Sequence, residues 1–124
     1  MLKELSCIFP CDDIEKTGEF YEKKLGFRKV EYLDVEQPHI CLYRDNTEII
    51  LIKTIENKFK SNHELYGYGY DAYFYTQDQD KLVKEFMSKG VKIVKGIELT
   101  DYNNREFVVE DLDGRHIAFG IKEK

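Results

Sequence analysis

Ionisable and nucleophilic side chains are scattered along this sequence, and none falls into a Ser-His-Asp or Cys-His order. Cys7 and Cys11 stand at C-x-x-x-C spacing, but Pro10 lies between them and no second pair follows, so they do not make a zinc knuckle. Their apolar surroundings, and the odd third Cys41, read as reduced, buried thiols. Glu110, Asp111 and Asp113 are neighbouring carboxylates at a turn, where short acidic side chains shape a hairpin. His39 follows Pro38 at a strand start and His63 sits in a polar stretch, so both are expected to be exposed. His116 lies in a strand-like run. Aromatic surface is what the chain has in quantity: nine Tyr and eight Phe, with no Trp. Such rings can fill a core, line a cleft, or do both. Tyr66, Tyr68 and Tyr70 alternate with glycine and lead into Asp71, Tyr73 and Tyr75. Tyrosine offers a ring for stacking and a hydroxyl for hydrogen bonding.

Two similar series of elements must position these groups. Leu5 to Phe9 reads as a short strand ended by Pro10. Asp12 with Glu15 three residues on resembles a capping box, and Ile14, Gly18, Tyr21 and Leu25 then fall on one helical face, widened by Phe20. Gly26 after Lys23 and Lys24 marks the helix end. Phe27 to Leu33, Ile40 to Arg44 and Glu48 to Ile55 are strand-like, with a tight turn at Asp45-Asn46. Residues 56–68 read as a linker. Tyr70 to Thr76 is again strand-like. Asp78 can cap a helix carrying Leu82, Val83, Phe86 and Met87 on one face, closed by Lys89-Gly90. Val91 to Ile97, Arg105 to Glu110 and Arg115 to Ile121 complete the series, with a hairpin turn at Asp113-Gly114. The pattern is β-α-β-β-β twice, an α+β fold in one domain spanning 1–124: module 1 about 4–55, linker about 56–68, module 2 about 69–122.

The 124 residues fit one domain of ordinary size, with 42% hydrophobic and 35% charged residues. No apolar run approaches the ~20 residues that cross a bilayer. Met1-Leu2-Lys3-Glu4 lacks the character of a signal peptide, so the expected location is cytoplasmic. A net charge of −5 with no basic stripe argues against nucleic acid as a partner.

The run Glu19-Phe20-Tyr21-Glu22-Lys23-Lys24-Leu25-Gly26-Phe27 resembles the E-F-Y-x-x-x-L-G-F of the glyoxalase/bleomycin-resistance/extradiol-dioxygenase superfamily. Arg105-Glu106-Phe107, then Asp111-Leu112-Asp113-Gly114, then Ile117-Ala118-Phe119-Gly120, resembles its R-E-F-x-x-x-D-P-D-G-x-x-I-x-F-G signature, with Leu112 in place of the usual proline. The motifs stand in the family's order, and the resemblance covers nearly the whole chain. It implies two βαβββ modules whose sheets curl into open shells around a cavity. It also implies a homodimer, often with strands shared between chains.

In the metal-dependent branch of that family, His or Glu from four strands hold a divalent ion. Aligned by motif, those four positions fall on Ser6, Ile52, Asp71 and Ala118. Ser6 is a poor neutral donor, Ile52 and Ala118 have no donor, and Asp71 alone cannot hold the ion, so no metal or other cofactor is expected. The other reading is a relocated metal site using Asp71 and His116, which would serve a lyase, isomerase or dioxygenase.

What the resemblance leaves is a metal-free binding protein of the bleomycin-resistance type, which sequesters a flat cationic antibiotic at a dimer interface without altering it. Tyr102 stands where that branch often has a groove-lining Trp, and the acidic charge favours cations. Strand alternation puts Asp71, Tyr73 and Tyr75 on one face and Tyr70, Ala72 and Phe74 on the other. The expected cavity residues are Ser6, Ile52, Asp71, Tyr73, Tyr75, Tyr102, His116 and Ala118, with Ile8 and Ile50 beside them. Tyr73 and Tyr75 fit a pocket lining and a layer between sheet and helix equally well. Arg105 and Glu106 read as a structural pair. A degenerate domain serving only for dimerisation or regulation is the third reading.

Overall fold

The computed structural model describes residues 1–122; Glu123 and Lys124, the end of the expected domain, lie outside the described residues. The chain divides into two compact units, 1–59 and 60 onward. In the first, strand β1 (Cys7–Cys11) leads to helix α1 (Ile14–Lys24), then β2 (Arg28–Tyr32), β3 (His39–Arg44) and β4 (Thr47–Lys53). In the second, a short helix α2 (Asn62–Tyr66) precedes β5 (Ala72–Tyr75), helix α3 (Gln79–Ser88), β6 (Lys92–Leu99), β7 (Asn104–Glu110) and β8 (His116–Lys122). The sheets are ordered β1-β4-β3-β2 and β5-β8-β7-β6, with a parallel outer pair (β1/β4, β5/β8) and antiparallel remaining pairs in each. The expected β-α-β-β-β order therefore holds in both units.

The two longer helices, α1 and α3, each cover one sheet face. In the first unit, Ile14, Thr17, Gly18 and Tyr21 are the buried residues of α1, and Leu25 after them is buried too. The helix packs on β2, β3 and β4. A β-carbon on Gly18 would lie 3.3 Å from the Ile40 side chain, which shows how closely helix and sheet approach. In the second unit, Phe86 meets Phe107 and Phe119 at centroid separations of 6.1 and 5.2 Å, and Phe74 stacks on Phe119. Both helices are followed by glycine in the left-handed region, Gly26 at φ 75° and Gly90 at φ 76°.

Several sequence expectations are corrected. Asp13, not Asp12, caps α1: its carboxylate accepts from the Glu15 and Lys16 N–H groups. Asp12 instead accepts from the Thr54 hydroxyl at 2.6 Å and the Phe59 N–H at 3.1 Å. Pro10 does not end β1 but sits in it, opposite Ile52. As the edge strand of its sheet, beside β4, β1 tolerates a residue lacking an N–H. Leu5 precedes the strand and is exposed. Within residues 56–68, Ser61 caps α2 and Gly67 closes it in the left-handed region. Met87 faces solvent rather than the buried side of α3.

The acidic hairpin forms as its composition suggests. Asp111 accepts from the N–H groups of Asp113 and Arg115 with one oxygen, and the other meets the Arg115 guanidinium at 3.1 Å. Asp113 meets the same guanidinium at 2.8 Å. Arg115 and Asp111 are both buried. Removing Asp111 takes one of two carboxylates from the buried guanidinium and the acceptor from two backbone N–H groups, a loss of about 1–3 kcal/mol. Asp111→Ala is expected to lower urea-unfolding stability by that order, whereas a loss below ~1 kcal/mol would show the hairpin to be held by other contacts.

Candidate functional site

Strand pairing decides which side chains share a face. Tyr73 pairs with Ala118 and Val108 with Ala118, while Phe74 and Phe107 both pair with Phe119. Phe107 and Phe119 meet Phe86 of α3 and Phe74 stacks on Phe119, so Tyr73, Tyr75, Asn104, Glu106, Val108, His116 and Ala118 belong to the opposite face, which α3 does not cover.

At the middle of that face is the fully buried carboxylate of Glu106. The hydroxyl of Tyr73 donates to its Oε1 at 2.9 Å. Tyr102 donates to the same oxygen and Tyr70 to Oε2, both through short hydrogen bonds. The Lys95 ammonium lies 3.5 Å from Oε2. Asn104 Nδ2 donates to the Tyr73 oxygen at 3.0 Å. Tyr75 lies against Tyr73, with centroids 5.1 Å apart, and is 65% exposed. Tyr102 is 53% exposed. A β-carbon at Gly120 would lie 2.1 Å from the Tyr73 oxygen, so only glycine leaves room for that ring.

The charge state follows from these contacts. Burial pushes the Glu106 carboxyl upward, but hydrogen bonds from Tyr102, Tyr70 and Tyr73 and the charge of Lys95 outweigh it and hold the group below its ordinary value. The phenols shift the other way. Burial, with donation to Glu106, pushes Tyr70 to about 12. Burial also dominates at Tyr73, pushed up to about 12, and raises Tyr102 together with its bond to Glu106. At neutral pH the cluster is one carboxylate surrounded by neutral phenols.

A second group lies on the same face. Asp71 accepts from the backbone N–H groups of Asn62 at 3.0 Å and His116 at 3.1 Å, tying α2 to β8. The His116 ring stacks on His63 with centroids 4.3 Å apart, and its Nε2 lies 3.3 Å from Glu110 Oε1. Burial raises the Glu110 carboxyl, and Lys92 and His116 bring it below its usual range.

In the first unit, Ser6 lies just before β1 and donates to Glu48 Oε1. Ile8 and Ile52 lie on the sheet face away from α1, 59% and 40% exposed. Bonds from Ser6 and then Tyr43 hold the Glu48 carboxyl below its ordinary value.

The expected residues thus separate. Tyr73 and Tyr102 join the Glu106 cluster, Tyr75 flanks it, His116 and Ala118 share its sheet face, and Asp71, just before β5, binds the His116 N–H. Ser6 and Ile52 belong to the first unit. Tyr73 and Tyr75 do not form a layer beneath the helix. Tyr70, expected opposite Tyr73, reaches the same carboxylate because it precedes β5, where strand alternation does not apply. Arg105 and Glu106 do not pair, since adjacent strand residues face opposite sides. His63 is exposed but engaged by His116 rather than loose. Glu106, the centre of the cluster, was legible in sequence only through its parity with Glu110 and Asn104.

The donors do not fit the family's metal. Ile52 and Ala118 carry no lone pair, Ser6 is engaged by Glu48, and both oxygens of Asp71 accept backbone hydrogen bonds. Among the described residues, no three His, Cys, Asp or Glu side chains are grouped to hold an ion. Nor is any described helix long and apolar enough to cross a membrane.

A family model described as "Glyoxalase/Bleomycin resistance protein/Dioxygenase superfamily" matches residues 5–119. No protein of curated function matches the sequence significantly. Among solved structures, UcmS2 is similar with a TM-score of 0.75 at 17% identity, covering 97% of this chain and 98% of that one. A superfamily member from Sphaerobacter thermophilus DSM 20745 gives 0.74 at 23% identity, covering 97% of each. TnmS3, an antibiotic binding protein from Streptomyces sp. CB03234, gives 0.69 at 20% identity, covering 96% of each. At these identities the likeness is one of fold.

The shifts give the pH dependence its sign. The depressed Glu106 carboxyl contributes stability above its ordinary 4.5, and that contribution is lost as pH falls through the lower folded value. The raised phenols Tyr70 and Tyr73 contribute below 10, and theirs is lost as pH rises towards 12. In thermal denaturation across pH, Glu106→Gln is expected to lower Tm at neutral pH and make the acid limb shallower. Glu48 and Glu110 keep that limb from vanishing. An acid limb as steep as in the unsubstituted protein would disprove the assignment.

Proposed function

The chain belongs to the glyoxalase/bleomycin resistance protein/dioxygenase superfamily, and within it we propose a metal-free protein that sequesters a flat, cationic aromatic small molecule without altering it. One observation carries this reading: a buried carboxylate ringed by Tyr70, Tyr73 and Tyr102, with the exposed rings of Tyr75 and Tyr102 beside it, on the sheet face that α3 leaves uncovered. Phenol rings supply stacking surface, and an anion in a poorly solvated setting attracts a cation more strongly than it would in water. The net charge of −5 favours the approach of cations from a distance. The antibiotic-binding TnmS3 shares the fold and supports the same direction.

Proflavine, a flat tricyclic cation, is a suitable probe. It is expected to raise Tm, and Tyr102→Ala is expected to abolish most of the shift by removing a stacking ring, a loss of about 1–3 kcal/mol in binding. No Tm shift with proflavine or with a broad panel of aromatic cations would refute the reading.

The proposal includes pairing of two chains, supported by the exposed apolar residues Ile8 and Ile52 of the first sheet. Light scattering after size exclusion is expected to give twice the chain mass of 14.7 kDa. A monomer at all concentrations tested would remove this part alone.

A further inference from the structure

We infer that Lys95 is a built-in, displaceable stand-in for the ligand's cation, and that ligand binding at Glu106 is an exchange of one ammonium for another. This rests on the binding function proposed above and adds the step by which the site selects charge.

The inference starts from the capacity of the carboxylate. A carboxylate offers about four acceptor positions. At Glu106, Oε1 takes Tyr73 and Tyr102, and Oε2 takes Tyr70 and Lys95. The carboxylate is therefore full, and a ligand cation can reach it only by replacing a group already there. The phenols are poor candidates for leaving. Each would break a hydrogen bond to an ionised acceptor, and Tyr73 is held further by Asn104. Lys95 holds on less tightly. Its ammonium is 3.5 Å from Oε2 and 3.5 Å from the Tyr70 oxygen, both at the long end of such contacts. Its side chain is 34% exposed.

Lys95 also has somewhere to go. Glu98 Oε1 already lies 3.3 Å from the ammonium on its exposed side. The strand is built to allow the movement. The ladder between β6 and β7 shifts register on both sides of Lys95, between Ile93 and Lys95 and again between Lys95 and Glu98. Such irregularities re-aim a side chain and free the local backbone from regular pairing. Gly96 follows directly, with nothing within 4 Å of its would-be β-carbon.

Hydrogen-bond polarity sets the class of ligand. Because the ionised carboxylate only accepts, all three phenols must point their protons at it. The Tyr73 oxygen already accepts from Asn104 and the Tyr70 oxygen faces the Lys95 ammonium, so once Lys95 leaves the site presents the carboxylate and the Tyr70 acceptor with no positive charge beside them. It takes an aromatic ligand bearing an ammonium, amidinium or ring N–H cation and rejects carboxylates, sulfonates and phosphates.

The test is fluorescence titration with proflavine and, as the anionic counterpart, 1-anilinonaphthalene-8-sulfonate, at low salt. Lys95→Met removes the competitor and is expected to tighten proflavine binding about tenfold, the worth of one charged hydrogen bond. Glu98→Gln removes the resting place of the displaced ammonium and is expected to weaken it several-fold, whereas Asp80→Asn, which removes an equal charge from the exposed side of α3, is not. The sulfonate is expected to bind at least tenfold more weakly than proflavine to the unsubstituted protein. Proflavine affinity that is unchanged or weaker in Lys95→Met, or unchanged in Glu98→Gln, overturns the exchange while leaving a Tyr-lined site in place. The exposed Glu98 variant keeps the test valid should Lys95→Met fold poorly. Absence of proflavine binding in every variant, the unsubstituted protein included, overturns the proposed function itself.

Discussion

The second unit depends on one constraint, that a fully buried carboxylate must be kept ionised. An unpaired charge taken out of water costs several kcal/mol, so Glu106 is tolerable only with its acceptor positions filled. Its partners come from four places along the chain: Tyr70 before β5, Tyr73 within it, Lys95 on β6, and Tyr102 in the β6–β7 turn. Each needs its element in register for the hydroxyl or ammonium to arrive. Gly120 must lack a side chain so that the Tyr73 ring can pass, and Asn104 must hold that ring's oxygen from the other side. The cluster is thus a consequence of the fold and also a reason for its register.

The fold itself was readable because it rests on periodicity. Each four-stranded sheet has one helix to cover it, so the regularly paired strands β5, β7 and β8 send one parity to the α3 side and the other away. The aromatic residues Phe74, Phe107 and Phe119 mark the covered side, and Tyr73, Glu106 and Ala118 mark the other. That two-residue repeat is visible in the sequence, as are the helix stripe of Ile14, Gly18, Tyr21 and Leu25 and the closing glycines Gly26 and Gly90. The Asp-Leu-Asp-Gly turn was equally legible, because Asp111, Asp113 and Arg115 meet within a few residues of each other and the contacts are local.

What escaped the sequence lies where periodicity stops. Tyr70 stands outside β5, so alternation misplaced it, and only the backbone path from α2 brings its hydroxyl to Glu106. Asp12 and Asp13 are chemically equal candidates for the helix cap. The choice is made by Thr54 and Phe59, residues far along the chain that claim Asp12. Glu106 looked like half of a local pair with Arg105 because charge complementarity is evident in sequence while facing direction is not. α2 is only five residues long, and its polar residues carry no amphipathic signal. It is held by Ser61 and by Asp71, which also binds the His116 N–H, and that connection is invisible without the structure.

The two units share a plan yet use their carboxylates differently, and the difference locates the chemistry. In the first, Glu48 accepts from Ser6, so its charge joins β4 to the residue that leads into the edge strand β1. The partners are a small hydroxyl and Tyr43, and the surrounding face carries aliphatic residues such as Ile8 and Ile52. In the second, the carboxylate is ringed by three phenols and a lysine, and the surrounding face carries large rings with exposed edges. Both arrangements satisfy a charge with hydroxyls. The first uses one phenol, Tyr43, and the second three, with a further partner, Lys95, that has another carboxylate to turn to. A duplicated scaffold can thus keep its register through such acids in both halves while one half alone carries a cluster of phenols around its carboxylate.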